Sequence, residues 1–127
     1  MELNDIQKNY ILKKLALLRK SRFRNSFHLK KYMFDYIDKV GLNKIEEHAR
    51  DLVKNRIASS NPYNDGKQTP MKGHPVFVAQ HACGCCCRSC IEKWHKIPKG
   101  RPLTEKEINY LVCLIVYWIK IEYQNKV

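Results

Sequence analysis

Five of the six cysteines fall within eight residues, at Cys83, Cys85, Cys86, Cys87 and Cys90. A disulfide needs Cα atoms about 5.5 Å apart in a specific orientation, which neighbouring cysteines rarely supply. Metal ligation or thiol chemistry is therefore the better use of such a run. Cys87-Arg88-Ser89-Cys90 is a Cys-x-x-Cys pair. If it opens a helix, residues three apart lie on one side and both sulfurs converge, making half of a tetrahedral zinc site. Cys86 and Cys90, four apart, share a face equally well. A helix N-terminus also lowers the pKa of nearby thiols. Trp94 follows on the same face, placed to shield the sulfurs.

The other ligands would be histidines, from His74, His81 and His95. On a helix over 75–82, His74 and His81 stand two turns apart, roughly 10 Å, and cannot share one ion. His81 is nearer the cysteines and is the first choice. His95, at the end of the cysteine helix, or Cys86 would complete the shell. Zinc is the expected ion and an iron–sulfur cluster the alternative, since a cluster usually takes four well-spread cysteines. A nucleophilic cysteine beside a histidine base is chemically sound, but no thioredoxin-like βαβ pattern accompanies it. The His-x-Glu arrangement of zinc deaminases is absent too.

These residues must be positioned by helices. Ile6, Tyr10, Ile11, Leu15 and Leu18 recur at helical spacing over 3–20, followed by a break over 21–27. Leu29, Tyr32, Met33, Tyr36, Ile37 and Val40 form a second stripe that Gly41 can end. Asn43 with Glu46 predicts a capping box for a third helix burying Ile45, Ala49, Leu52 and Val53. Periodicity then stops over 59–73, SSNPYNDGKQTPMKG, a stretch of turn signals. A loop of that length usually has a function. HPVFVAQHA reads as either a helix begun by Pro75 or a short strand. A helix is expected from about 86 to 94. Thr104 and Glu107 cap a last helix whose core face is Ile108, Leu111, Val112, Ile115, Trp118 and Ile119. Cys113, inside that run, reads as a buried small hydrophobe.

The chain has 127 residues, with 24 Lys plus Arg against 12 Asp plus Glu, a net charge of +12. That length suits one domain, and 44% hydrophobic residues suffice for a core. The longest strongly apolar run, 108–119, falls short of a membrane span. The start, MELNDIQKNY, has no apolar stretch of a secretory signal. A membrane protein, a secreted precursor and a multidomain enzyme are therefore not expected; a cytoplasmic location is. Basic residues crowd 1–31 and 88–101, and such patches attract polyanions without reading sequence.

NDGKQTPMKGHPVFVAQHA followed by CCRSCIEKWHKIPKGRPLTEKEI, with SRFRNSFHL upstream, resembles a bacterial and phage family known as domain of unknown function 4186. The matching positions include His28, Asp65, Gly66, Lys67, His74, Pro75, His81, Cys86, Cys87, Cys90, Trp94, His95 and Lys99. Cys83 and Cys85 depart from the pattern, which lowers their standing as ligands. The resemblance implies a compact intracellular domain and carries no assigned activity with it.

The expectation is thus a mainly α, small single-domain fold over 1–127. It comprises a helical half (1–57), a long loop with the Cys/His metal-binding segment (58–103), and a C-terminal core helix (104–123). Zinc would be held by His81, Cys86, Cys87, Cys90 and His95, as alternatives for four positions. Lys67, Lys72, Arg88, Lys99 and Arg101 would meet nucleic acid, a nucleotide or another phosphate-bearing ligand. The alternative is a small metal-dependent enzyme acting on nucleotides or nucleic acid, with Asp65, Lys67 and His74 beside the metal.

Overall fold

The computed structural model describes residues 3–126, and these contain seven helices and no strand. They are α1 (Asp5–Arg19), α2 (Arg22–Asn25), α3 (Lys31–Val40), α4 (Leu42–Arg56), α5 (Pro75–Ala82), α6 (Arg88–His95) and α7 (Glu105–Gln124). The ambiguous HPVFVAQHA segment is a helix, because Pro75 takes the first helical position, where its missing N–H costs nothing.

The last helix is the hub. Its buried residues, from Ile108 to Ile119, go well beyond one stripe, and α1, α4 and α5 all pack on it. The expected capping box at Thr104 and Glu107 forms, with Thr104 Oγ1 accepting from the Glu107 N–H at 3.1 Å. Glu107 also takes a bidentate pair from Arg101, at 2.8 Å for each oxygen.

Two local expectations need correction. The α4 helix begins at Leu42, its N-cap is Gly41, and no side chain caps it, so Asn43 has no such role. Gly41, at φ 84°, turns the chain sharply enough that α3 and α4 meet without a linker. In α1 the buried face is Ile11, Leu15 and Leu18, whereas Ile6 and Tyr10 are exposed. Ile6 and Tyr10 instead line an open groove with Asn109 and Tyr110 of α7, the Tyr10 and Tyr110 rings meeting edge to face at 5.9 Å. The break over 21–27 also contains a short helix, α2, started by Ser21, whose Oγ accepts from the Arg24 N–H at 3.2 Å.

The 59–73 loop is anchored by polar side chains. The Thr69 hydroxyl donates to the Cys86 carbonyl at 2.8 Å, and the Thr69 carbonyl lies 3.0 Å from His81 Nε2. Asp65 accepts from the Arg88 N–H at 3.1 Å, capping α6, and from Gln68 at 3.0 Å. None of the described helices is long and apolar enough to cross a membrane.

Candidate metal centre

The α5 helix ends in a left-handed turn that aims the cysteines. The Cys85 N–H donates to the Gln80 carbonyl at 2.8 Å and the Gly84 N–H to the His81 carbonyl at 3.4 Å, with Gly84 at φ 67°. This is a Schellman closure with glycine at its required position. The chain then reverses, and Cys87 becomes the N-cap of α6, its sulfur accepting from the Cys90 N–H at 3.4 Å. The sulfurs of Cys86, Cys87 and Cys90 consequently gather within 4.8 Å of one another. Among the described residues no fourth Cys, His, Asp or Glu joins them.

Arg24, which sequence reasoning did not select, completes this cluster. Its Nη2 donates to Cys90 Sγ at 3.2 Å, and its Nη1 lies 3.7 Å from Cys86 Sγ and 2.8 Å from the His81 carbonyl. Hydrogen bonds from the Cys86 and Cys87 thiols, and then from Arg24, hold the Cys90 thiol down to about 2. Cys86 is pushed the other way, chiefly by its bonds to Cys87 and Cys90. The trio of sulfurs thus stands beside a fixed cation. The sequence signal for Arg24 was faint: it lies in SRFRNSFHL, one of the segments that resemble the family, but 62 residues before Cys86.

The histidines lie elsewhere. His81 stacks on Phe27 with ring centroids 5.3 Å apart and gives its Nε2 to Thr69, so it does not enter the sulfur group. His95 is buried with Nε2 2.8 Å from the Cys83 carbonyl and Nδ1 2.8 Å from the Tyr110 hydroxyl. The carbonyl can only accept, so Nε2 carries the proton and Nδ1 accepts from tyrosine. Cys83 and Cys85 point inward, their thiols directed at the carbonyls of Leu114 and Cys83. Burial pushes both thiols up. No disulfide links the six cysteines.

His74 caps α5. Its Nδ1 accepts from the Val76 N–H at 3.0 Å, so its proton sits on Nε2, which donates to His48 Nδ1 at 3.2 Å. Both nitrogens are therefore committed, and Asp65 is occupied at α6 instead. Asp65 and His74 accordingly have separate partners.

The basic residues divide in the same way. Arg88 is fully buried and is the clearest departure from expectation. Its guanidinium reaches the carbonyls of Ser59 at 2.7 Å, Ala58 at 3.5 Å, Pro98 at 3.0 Å and Arg101 at 2.9 Å. It clasps the two ends of the functional segment and offers nothing to a phosphate. Arg101 is engaged by Glu107. Lys67 and Lys72 are exposed, as is Lys99, whose Nζ lies 3.2 Å from Ser89 Oγ. Lys67 shares a groove with Arg56 and Tyr63.

Burial holds both His95 and His74 down to about 4, with His48 adding to the effect at His74. A folded-state pKa below the unfolded value of about 6.5 means that the unfolded chain binds more protons between the two. The stability these neutral rings confer is therefore complete above pH 6.5 and declines as pH falls towards 4. Linkage gives about 2 kcal/mol lost at pH 5 for His95 alone, and less for half-buried His74, which water screens. Denaturant unfolding of the metal-free protein should be flat between pH 7 and 8 and clearly weaker at pH 5. Equal stability at pH 7.5 and 5 would show that burial does not hold these rings neutral.

The family model described as Domain of unknown function (DUF4186) matches residues 9–120. The chain belongs to that family. All three gathered cysteines, Arg24 and Arg88 lie inside the match. No solved structure matches the chain.

Proposed function

We propose that this DUF4186 protein is a metal-binding domain that takes one soft divalent ion, zinc first, at Cys86, Cys87 and Cys90. Its basic surface would meet nucleic acid or another phosphate-bearing ligand. The observation that carries the metal reading is the gathering of three sulfurs within 4.8 Å. With Zn–S bonds of about 2.3 Å, two ligands of one tetrahedral ion lie roughly 3.8 Å apart, a separation this trio reaches with small rotamer changes. An iron–sulfur cluster spreads its cysteines over several irons and usually takes four. Cys83 and Cys85, turned to carbonyls, are poor candidates for the missing one. Thiols kept reduced in the cytoplasm suit such a site.

The test is metal content. After incubation with zinc and dialysis, the purified protein should retain one equivalent, and Cys90→Ala should retain none. A wild-type chain that emerges without metal would end the proposal.

The phosphate reading is supported by the net charge of +12 and by the exposed Lys67, Lys72 and Lys99. Oligonucleotide affinity should fall steeply with salt, about tenfold or more between 50 and 200 mM if several phosphates are neutralised. Salt-independent binding, or none at 50 mM, would count against it.

One observation favours a metal-dependent enzyme acting on nucleotides or nucleic acid: three sulfur ligands leave a position of a tetrahedral ion to water. Asp65, Lys67 and His74, each otherwise engaged or apart, do not supply the base that such an enzyme needs.

A further inference from the structure

We propose that Arg24 is the charge-balancing residue of the metal centre, the group that lets three sulfurs hold a divalent ion in a mostly buried setting. The inference rests on the metal reading above and deepens it. Three ionised sulfurs and one divalent ion sum to a single negative charge, and a buried net charge is costly unless paired. Arg24 is 8% exposed and donates to two of the three sulfurs, so it stands where that charge must be offset. A guanidinium keeps its proton and cannot ligate a metal. It therefore acts from outside the coordination shell, through sulfurs that the ion also binds.

The position of Arg24 is built independently of the sulfurs. The four-residue helix α2 exists at the right place because Ser21 caps it at the Arg24 N–H. The His81 carbonyl, 2.8 Å away, anchors Nη1 to the end of α5. The rings of Phe23 and Trp94 flank the guanidinium at 5.1 and 6.0 Å. Metal binding would thus tie α2, from the first quarter of the chain, to the α5–α6 turn. Loading the site should order the N-terminal half as well as the cysteine segment.

The experiment compares the full-length wild type with Arg24→Met and Arg24→Lys. Cobalt(II) serves as a spectroscopic probe, through its sulfur-to-metal charge-transfer band, and a chelator sets the competition. Hydrogen bonds to charged groups are worth about 1.5–3 kcal/mol, which corresponds to roughly ten- to a hundredfold in affinity. Arg24→Met should weaken cobalt binding by that factor. Arg24→Lys, which keeps the charge but loses the fork, should recover most of it. The preference for a divalent over a monovalent soft ion, cadmium against silver, should grow in Arg24→Met. The site sums to two negative charges with silver and one with cadmium, and so loses more with silver when the cation is removed. A merely structural contact would not move that ratio in a charge-dependent way.

Equal cobalt affinity in wild type and Arg24→Met would overturn the inference while leaving the metal site standing. A wild type that takes no cobalt would instead overturn the metal reading. Should Arg24→Met fail to fold, Arg24→Lys decides: binding as weak as that of Cys90→Ala would refute charge balancing, and binding within about tenfold of wild type would support it.

Discussion

Arg88→Ala should destabilise the protein by about 3–5 kcal/mol, enough to unfold much of a marginally stable small domain. Arginine at this position contacts four backbone carbonyls from two separate stretches, 58–59 and 98–101. Truncation leaves these carbonyls without their charged donor and opens a cavity where the largest fully buried side chain had been. The native arrangement is itself not ideal, because Arg88 Nε is buried without a partner. Removing the charge therefore also removes some desolvation cost, which keeps the estimate from running higher. Arg88→Met, which restores volume but no hydrogen bonds, should recover 1 to 2 kcal/mol, about the value of the cavity. Urea unfolding followed by far-UV circular dichroism measures both. A loss below about 1 kcal/mol for Arg88→Ala would show that solvent readily replaces the clasp.

The second large effect is expected at Gly84. A Cβ built there lies 2.7 Å from Trp94 Cδ1 and 2.9 Å from Cγ, and the backbone stands at φ 67°. Gly84→Ala therefore combines a left-handed conformation, which costs an L-residue roughly 1–2 kcal/mol, with a steric overlap that displaces the indole. We expect a total loss of about 2–4 kcal/mol. The functional consequence is more specific than the loss of stability. The Gly84 turn sets the direction of Cys86 and Cys87, and Trp94 flanks Arg24, so metal affinity should fall together with stability. Trp94→Leu in the Gly84→Ala background removes the overlap and leaves the backbone strain. The double variant should be more stable than the sum of the two single losses implies, with a coupling above about 1 kcal/mol. Strict additivity would indicate that the two residues do not meet.

Much of the helical framework was legible because it depends on local chemistry. The Thr104–Glu107 box and the stripe Ile45, Ala49 and Val53 are short-range patterns, and each appears where spacing places it, whereas HPVFVAQHA allowed helix or strand and folds as a helix with Pro75 at its first position. The Cys-x-x-Cys pair was legible for the same reason, since its geometry is that of one helical turn with Cys87 as the cap. Asn43 misled because a capping pattern is necessary but not sufficient. Gly41, at positive φ, started the helix first.

Residues whose role depends on distant partners were not legible. His81 and His95 have the right type and near-right spacing for ligands, yet a loop carbonyl holds one and the Cys83 carbonyl and a tyrosine from α7 hold the other. Arg88 looked like a surface cation because arginines usually are; its four carbonyl partners lie 10 to 30 positions away.

The sequence by itself determined a helical chain with a thiol-rich turn, a long punctuated loop and an excess of positive charge. Those follow from composition and from patterns within a few residues. Only the tertiary structure decided which cysteines meet, that Arg24 and not a histidine stands beside them, and which cations are spent inside. The physical reason is that hydrogen bonds and charge pairs join groups by distance in space. Residues 24 and 90 become neighbours only when α2 packs against α5.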